Sequence, residues 1–314
     1  MPARIIDGKA IAAQVRAALS PRIAALKRHG VHPRLAAVLV GDNPASVSYV
    51  GTKKKTAEEI GIASEIIHRP ASTSQAELAA LVDELNARAE LHGYIIQSPL
   101  PAGLDEAALV AQIDPAKDVD GFHPFNVGAL TLGHGKMLPC TPAGIVELLV
   151  HAQVRIPGAE VVVLGRGNIV GRPLSILLSL KSARGDATVT LCHSRTRDLA
   201  AHTKRADILI LAMGQAEMIT GDMVKPGATV IDVGSNRIAD PAAPKGYRWV
   251  GDAHFPSVSE VAGAITPVPG GVGPMTVAML LQNTVTAAED WLVRRGTTTD
   301  SSLPSTSFGT SRSE

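Results

Sequence analysis

Three glycines follow an apolar run near the middle of the chain, and their spacing suits a turn that binds phosphate. The segment from Val161 reads V-V-V-L-G-R-G-N-I-V-G. Gly165 permits a tight turn out of a strand, Gly167 puts no Cβ in the path of a pyrophosphate, and Gly171 lets the next helix approach the sheet. The N–H groups that open that helix then face the anion. We expect a nucleotide cofactor here, with a βα turn that binds nothing as the alternative.

The next predicted strand indicates which nucleotide this is. Residues 187–192 are followed by the run H-S-R-T at 193–196, where an NAD-binding fold usually places an acid for the ribose 2′-hydroxyl. No acid is present there. Arg166 and Arg195 supply positive charge and Ser194 supplies a hydroxyl, which together suit a 2′-phosphate and therefore NADP. The alternative is that both arginines are ordinary solvated side chains.

A second group of reactive side chains lies in the segment S-V-S-Y-V-G-T-K-K-K-T-A-E-E-I-G. Tyr49 and Lys53 are four residues apart and share one face of a predicted helix, with Ser46 one turn earlier on that face. The helix therefore presents an aromatic ring and an amine together. Taken alone, three lysines in a row are typical of a solvated surface, so spacing does not single out Lys53.

Two polar residues end segments that could meet this helix. Gln97 closes the predicted strand G-Y-I-I-Q, and Asp120 lies in the loop K-D-V-D-G-F-H-P. Ligands bind at the carboxyl ends of parallel strands, where an amide and a carboxylate could recognise a heterocycle. A capping glutamine and a turn-forming aspartate are equally acceptable interpretations.

Helical and strand-like segments alternate along the chain, which predicts βαβ units and parallel sheets. We predict helices over residues 8–29, 46–60, 75–90, 141–150 and 275–293, and strands over 35–40, 62–67, 93–97, 187–192, 208–212 and 229–233, with a further strand from Val161. Residues 114–139 lose this periodicity, which is typical of a linker and an active-site edge.

These elements predict a two-lobed α/β protein. We assign residues 1–140 to an N-terminal catalytic lobe, 141–272 to a Rossmann-type cofactor lobe with a parallel sheet, and 273–295 to a C-terminal helix that returns to the first lobe. The catalytic cleft is then expected between the lobes. Residues 296–314 are rich in serine and threonine and predict a disordered tail.

Composition excludes several classes of partner. The 314 residues carry a formal charge of +1, and no basic stripe with aromatic residues argues for nucleic acid. Cys140 and Cys192 are far apart and have no metal-ligand spacing, so we expect neither a disulfide nor a bound metal. No apolar run approaches the ~20 residues of a membrane span, and we expect a cytoplasmic protein that does not associate with membranes.

Several longer motifs, in order along the chain, resemble the bifunctional methylenetetrahydrofolate dehydrogenase/cyclohydrolase family. They are Y-V-G-T-K-K-K-T-A-E-E-I-G-I, I-I-Q-S-P-L-P, K-D-V-D-G-F-H-P-F-N-V-G, P-C-T-P-A-G, G-R-G-N-I-V-G-R-P, T-V-T-L-C-H-S-R-T and I-T-P-V-P-G-G-V-G-P-M-T-V-A-M-L-L. The resemblance covers about residues 4–291. It implies oxidation of 5,10-methylenetetrahydrofolate by NADP⁺ and hydrolysis of the methenyl product to 10-formyltetrahydrofolate.

The resemblance also implies roles for single residues. Lys53 is the essential residue, because a nearby cationic substrate favours its neutral amine, which can then activate water. Gln97 orients that amine, Tyr49 stacks on the folate, and Asp120 bonds to the pterin edge. Ser46 is a further substrate-binding residue.

The resemblance further implies a substrate loop, a set of cofactor-binding residues and a dimer. The loop Pro269, Gly270 and Gly271 is implied to close over the substrate. The predicted cofactor-binding residues are Gly165, Arg166, Gly167, Ser194, Ser235 and Thr141. A homodimer formed through the cofactor lobe is also implied.

At three positions the chain departs from the family pattern. Many members have serine where Gly167 stands, isoleucine where Ser235 stands and leucine where Ser98 stands. The first change removes one phosphate ligand, the second alters a residue expected against the nicotinamide, and the third changes the neighbour of Gln97. NADP in preference to NAD remains the prediction.

Two other functions fit parts of the sequence. A monofunctional NAD(P)-dependent dehydrogenase for another small substrate would explain Gly165 to Gly171, but not Tyr49 with Lys53. A catalytically inactive NADP-binding protein would bind cofactor without turnover. An assay that follows NADPH and methenyltetrahydrofolate together separates the three.

Overall fold

The computed structural model describes residues 2–243 and 246–296, which form two compact units. Residues 2–13 and 139–276 make up one of them, the six-stranded unit. Residues 14–138 and 277–296 make up the other, the three-stranded unit. Each unit is therefore assembled from two separate stretches of chain.

The helices occur in both units and are named in chain order. They are α1 (Gly8–Arg28), α2 (Pro44–Glu59), α3 (Gln75–Ala87), α4 (Glu106–Gln112), α5 (Pro124–Thr131), α6 (Cys140–His151), α7 (Gly171–Ser179), α8 (Leu199–Thr203), α9 (Phe255–Val261) and α10 (Val272–Arg294), with a 3₁₀ turn at Gly221–Met223. None of the helices in residues 2–243 and 246–296 is long and apolar enough to cross a membrane.

The strands are likewise named in chain order. They are β1 (Arg4–Ile5), β2 (Arg34–Val40), β3 (Ala63–Arg69), β4 (Gly93–Ile96), β5 (Glu160–Leu164), β6 (Thr188–Cys192), β7 (Ile208–Leu211), β8 (Thr229–Asp232), β9 (Asn236–Ala239), β10 (Tyr247–Val250) and β11 (Ala264–Ile265). The predicted helices and strands lie where the sequence places them, with ends that differ by at most three residues.

The three-stranded unit is built around β2, which pairs in parallel with β3 on one side and β4 on the other. All residues of β2 after Arg34 are buried, as is typical of a central parallel strand covered on both faces. Helix α3 begins with a capping box in which Ser74 and Glu77 satisfy each other's backbone N–H groups. Its apolar face contributes Leu78, Leu81 and Leu85 to the core under β2 and β4.

The C-terminal helix α10 is fastened within the three-stranded unit. The side-chain amide of Asn283 donates to the carbonyl oxygens of Val119 and Leu138, at 2.8 and 2.9 Å. Arg22 forms a bidentate ion pair with Glu289, at 2.9 and 2.6 Å. The expected return of this helix to the first part of the chain is therefore confirmed.

The six-stranded unit contains a wholly parallel sheet in the order β1-β11-β8-β7-β5-β6. Strands β6 and β7 lie on opposite sides of β5, so the chain reverses its direction across the sheet at the carboxyl ends of β5 and β7. Such a switch point is where open α/β sheets bind ligands. The predicted Rossmann-type lobe is confirmed.

In several places the structure differs from the sequence-based expectation. Residues 2–13 belong to the six-stranded unit because β1 pairs with β11, although the sequence assigns residues 1–140 to one lobe. Helix α5 lies inside the segment that was expected to be irregular. The His123 side chain caps this helix by accepting the N–H of Phe125, and Pro124 occupies its first turn. The hairpin of β9 and β10 has no counterpart among the predicted elements. The predicted tail lies outside the described residues, apart from Gly296.

His92 is a buried polar group of the three-stranded unit that carries no predicted role. Its Nδ1 accepts the backbone N–H of Arg34 at 3.2 Å, and its ring stands edge-on to Trp291 with the centroids 5.3 Å apart. Its Nε2 has no hydrogen-bond partner among the described residues. Burial, helped by the charges of Lys117 and Arg34, lowers the pKa of His92 to about 4.

We predict that His92 makes the fold sensitive to acid. The unfolded chain takes up a proton near pH 6.5, whereas folded His92 stays neutral until about pH 4, so stability is present above pH 6.5 and is lost as the pH falls towards 4. His92→Asn retains an acceptor for Arg34 and should reduce the slope of unfolding free energy against pH by roughly 1 kcal/mol per pH unit between these limits. Urea unfolding at several pH values measures the slope.

His134 is exposed and provides the matched control, His134→Asn. An unchanged slope in His92→Asn, equal to that of the control, would show that His92 already titrates normally in the folded protein.

Candidate functional site

Helix α2 carries the predicted reactive face, and its first turn is fixed by a cap. The Asn43 side chain accepts the N–H groups of Ala45 and Ser46, and Pro44 occupies the first turn, where its missing N–H does no harm. The buried residues of α2 are Ser46, Val50, Lys53 and Ala57, which follow one stripe along the helix. Ser46 and Lys53 therefore lie on the face that packs inward, as the spacing predicts.

Lys53 is the chemically unusual member of this face because it is a lysine that is only 5% exposed. Its Nζ donates to Oε1 of Gln97 at 3.0 Å, and it lies 4.6 Å from the centroid of the Tyr49 ring. The structure thus brings together an amine, an amide and an aromatic ring from α2 and the end of β4. Residues 44 apart in sequence meet because α2 follows the central strand and Gln97 ends its neighbour.

Gln97 is held in place by its backbone as well as its side chain. Its N–H continues the sheet by donating to Val38 at 2.9 Å, and its Nε2 donates to the carbonyl of Ser98 at 2.6 Å. The Ser98 hydroxyl in turn donates to the carboxylate of Glu106 in α4. These contacts orient Oε1 of Gln97 towards Lys53, and they show that Ser98 serves as a hydrogen-bonding link where an apolar residue was the family expectation.

The loop that contains Asp120 is shaped by a second carboxylate, that of Asp118. Asp118, buried, accepts the backbone N–H groups of residues 121–123 and the amide of Asn126, so it shapes the turn. A parallel bridge joins Asp118 to Tyr94 of β4. The bridge is a single residue pair, and Val119 and Asp120 belong to the turn that follows it, where Asp120 is half-buried.

The glycine turn of the six-stranded unit leaves no space for side chains at two of its three glycines. Gly165 has a φ of +111°, and a Cβ there would lie 2.1 Å from the carbonyl oxygen of Ala212. A Cβ at Gly171 would lie 1.8 Å from the carbonyl oxygen of Gly165. A Cβ at Gly167 would meet no atom within 4 Å. The fold therefore requires Gly165 and Gly171, while the space at Gly167 is open.

A cavity of about 340 Å³ lies at this switch point and contains four predicted cofactor residues. Its lining includes Gly165, Arg166, Gly167, His193 and Ser194. Among the described residues, the N–H groups of residues 167–169 donate to no protein atom, and they precede the first turn of α7. Free N–H groups, a helix N-terminus and an arginine form a suitable cradle for the phosphates of a dinucleotide.

A second cavity, of about 450 Å³, lies in the same unit at the ends of β8 and β11. It brings together Thr141, Ser235 and the loop Pro269, Gly270 and Gly271. Thr141 is fixed by a 2.9 Å hydrogen bond between its Oγ1 and that of Thr276. The loop approaches α1 closely, since a Cβ at Gly8 would lie 1.8 Å from the carbonyl oxygen of Gly271. The predicted substrate loop and two predicted cofactor residues thus share one cavity.

Two buried carboxylates support the walls of these cavities. Asp232 accepts the N–H groups of Gly234, Asp252 and Ala253, while burial raises its pKa to about 6. Asp252 accepts the N–H groups of residues 213–215 and the amide of Asn236. Because each carboxylate bonds mainly to backbone, we interpret both as supports for the loops after β7 and β8.

Sequence reasoning missed some residues that line the second cavity, including Lys9, Asp232, Trp249 and Thr276. Thr276 lies inside the quoted motif P-V-P-G-G-V-G-P-M-T and could have been chosen from it. Lys9 and Trp249 had no such signal, because they come from distant parts of the chain. Within residues 2–243 and 246–296, no group of histidine, cysteine, aspartate or glutamate is arranged to hold a metal ion.

Comparison with known proteins gives matches along most of the chain. A family model described as the NAD(P)-binding domain of tetrahydrofolate dehydrogenase/cyclohydrolase matches residues 139–292, and one described as the catalytic domain matches residues 6–120. The bifunctional protein FolD of Moorella thermoacetica is 53% identical over 288 residues, which are 92% of this chain and 99% of that protein.

Solved structures show the same similarity. The bifunctional FolD methylenetetrahydrofolate dehydrogenase/cyclohydrolase of Campylobacter jejuni has a TM-score of 0.85 at 44% identity, covering 91% of this chain and 98% of that one. The Trypanosoma brucei enzyme, solved in complex with NADP cofactor and an inhibitor, has a TM-score of 0.86 at 40% identity, covering 92% and 98%.

We predict that the three glycines differ in their effect on stability. Gly171→Ala should lower the free energy of unfolding by about 3 kcal/mol or more, because its Cβ overlaps a backbone oxygen that cannot move freely. Gly167→Ala should change it by less than about 0.5 kcal/mol, because the new Cβ meets open space. Urea unfolding without cofactor compares the variants, and equal destabilisation at both positions would contradict the prediction.

Proposed function

The chain belongs to the tetrahydrofolate dehydrogenase/cyclohydrolase family, and from that premise we propose which of its residues carry the two reactions. The protein oxidises 5,10-methylenetetrahydrofolate with NADP⁺ to the 5,10-methenyl form, and hydrolyses that product to 10-formyltetrahydrofolate. The observation that carries our assignment is the buried amine of Lys53, hydrogen-bonded to Gln97 and beside the ring of Tyr49.

In the oxidation, the chain mainly has to position the substrate. NADP⁺, when bound, accepts a hydride from the one-carbon bridge, and this transfer needs no acid or base from the protein. Tyr49 offers a ring face for the flat folate heterocycle, and Lys53 and Gln97 lie directly next to it. Holding the bridge carbon in one orientation is then their contribution to the rate.

In the hydrolysis, Lys53 acts as the general base. The methenyl substrate is a cation, and its positive charge near Nζ favours the neutral amine. One N–H of that amine stays on Oε1 of Gln97, so the nitrogen lone pair has a restricted direction. Lys53 takes a proton from the water that attacks the one-carbon bridge, and N5 takes up that proton from Lys53 as its bond to the bridge carbon breaks. The hydroxyl on that carbon loses its proton to solvent, which leaves the formyl group on N10 and releases one proton overall.

The other substrate contacts follow the same assignment. Asp120, in the turn that follows the bridge between Asp118 and Tyr94, bonds to the pterin edge, and Ser46 borders the substrate on the buried face of α2. Pro269, Gly270 and Gly271 close over the substrate, and the absence of side chains at the two glycines lets backbone approach a flat ring.

The cofactor assignment uses the two cavities of the six-stranded unit. We assign the pyrophosphate to the turn at Gly165 and Gly167, and the 2′-phosphate to Arg166 and Ser194. The nicotinamide half then lies in the second cavity with Thr141 and Ser235. The support is the combination of open space at Gly167, free N–H groups before α7 and positive charge at Arg166.

Three further assignments complete the proposal. The three-stranded unit carries the folate chemistry and the six-stranded unit carries NADP. The protein is a homodimer formed through its cofactor lobe, as the family resemblance suggests. It is cytoplasmic, which agrees with two buried cysteines, Cys140 and Cys192, neither of which forms a disulfide.

We predict that Lys53→Met abolishes hydrolysis of methenyltetrahydrofolate, a fall of about 10²- to 10⁴-fold towards the spontaneous rate. Lys53→Arg should fail as well, because a guanidinium retains the charge but cannot act as a base near neutral pH. The decay of methenyltetrahydrofolate absorbance measures the reaction.

Lys55→Met is the matched control, because Lys55 is exposed on the same helix, and it should retain normal hydrolysis. Hydrolysis by Lys53→Met above the spontaneous rate would refute the assignment of the base.

We also predict that Arg166→Ala weakens the preference for NADP⁺. Loss of a charge-assisted hydrogen bond to the 2′-phosphate should lower kcat/KM for NADP⁺ by about 10- to 100-fold. The value for NAD⁺, which lacks this phosphate, should change little and serves as the internal control. A parallel fall with both cofactors would mean that Arg166 acts on the fold and not on the phosphate.

A further inference from the structure

Trp249 is an exposed aromatic residue that lines the second cavity and has no role in the assignment above. It is 43% exposed on β10, and it is the one aromatic residue among the described residues lining that cavity. The rest of the lining is mainly glycine, proline, valine and small hydroxyl residues. Binding cavities are lined mainly by apolar and aromatic side chains, so an exposed ring at this cavity is available to a ligand.

The orientation of Trp249 is maintained by its neighbours. The ring of Tyr247 meets it edge-on, with the centroids 6.3 Å apart and the planes at 88°, and the guanidinium of Arg237 lies 5.0 Å over the Tyr247 ring. The base of the hairpin is fixed as well, since the amide of Asn236 donates to Asp252 at 2.9 Å. Trp249 is therefore held from one side and open on the other.

The open side of Trp249 faces the same cavity as Ser235 and Thr141. No hydrogen bond engages the indole N–H within the described residues, so both the ring face and this donor are available to a ligand. Asp232, at the end of β8, and Lys9, at the start of α1, are the charged residues of the lining. The ligand that fits is a flat ring with polar substituents.

We propose that Trp249 forms the aromatic wall of the subsite for the nicotinamide half of NADP. The proposal rests on the NADP-dependent oxidation and adds a residue that determines how the reactive ring is held. The oxidised nicotinamide ring is cationic, and a cation over an indole face is attracted by the ring quadrupole. Trp249 therefore favours NADP⁺ over NADPH as well as limiting movement of the ring.

The first test measures binding of NADP⁺, NADPH and 2′,5′-ADP by calorimetry to the wild-type protein and to Trp249→Val and Trp249→Phe. Trp249→Val should weaken NADP⁺ by roughly three- to tenfold and NADPH by less. Trp249→Phe should retain most of the NADP⁺ affinity. Binding of 2′,5′-ADP, which has the 2′-phosphate but no nicotinamide, should stay unchanged in both variants.

The second test needs no substitution at Trp249. The chain has two tryptophans, and Trp291 belongs to the other unit, so Trp291→Phe leaves Trp249 as the only one. Saturating NADP⁺ should protect its fluorescence from quenching by acrylamide, whereas 2′,5′-ADP should not.

The outcomes separate this proposal from the function on which it rests. Wild-type protein that fails to bind NADP⁺ would refute the cofactor assignment itself. Normal NADP⁺ binding with unchanged affinity in Trp249→Val, equal losses for NADP⁺ and 2′,5′-ADP, or acrylamide quenching that NADP⁺ does not alter would each overturn the role of Trp249.

Discussion

Direct packing of backbone against backbone is the constraint on which the six-stranded unit depends. At Gly171 and at Gly8 a Cβ would lie 1.8 Å from a carbonyl oxygen, of Gly165 and Gly271 respectively. The first approach forms the floor of the phosphate turn and the second fixes the loop beside Thr141 and Ser235. Because both approaches join bare backbone to bare backbone, the fold itself holds the N–H groups that the cavity walls present to a ligand.

The reactive side chains of the three-stranded unit are positioned by different means. The amine of Lys53 is buried and its direction is determined by Gln97, which is itself held by its bonds to Val38 and Ser98. A loosely held lysine would sample many rotamers and offer its lone pair in many directions. Two successive layers of hydrogen bonds therefore restrict a flexible side chain to one direction, as our proposal that Lys53 is the base requires.

Sequence could anticipate the features that depend on local backbone constraints. Gly165 and Gly171 were recognisable because a tight turn and a closely packed helix each require glycine at a fixed distance from the preceding strand. The alternation of helical and strand-like segments predicted the parallel sheets. The pairing of Lys53 with Gln97 could not be derived from spacing, because it joins residues 44 apart, and only the family resemblance selected it. Strand β1 is two residues long and pairs near the other end of the chain, so no local pattern reveals it.

That pairing has a consequence for how the molecule is made. Arg4 and Ile5 leave the ribosome well before their partners, Ala264 and Ile265, which are synthesised some 260 residues later. The edge of the large sheet stays open during that interval, while residues 14–138 already contain all three strands of the smaller sheet. Translation order thus separates the completion of the two sheets in time, and a chain that stops before Ala264 would leave β8 as an unpaired edge of the large sheet.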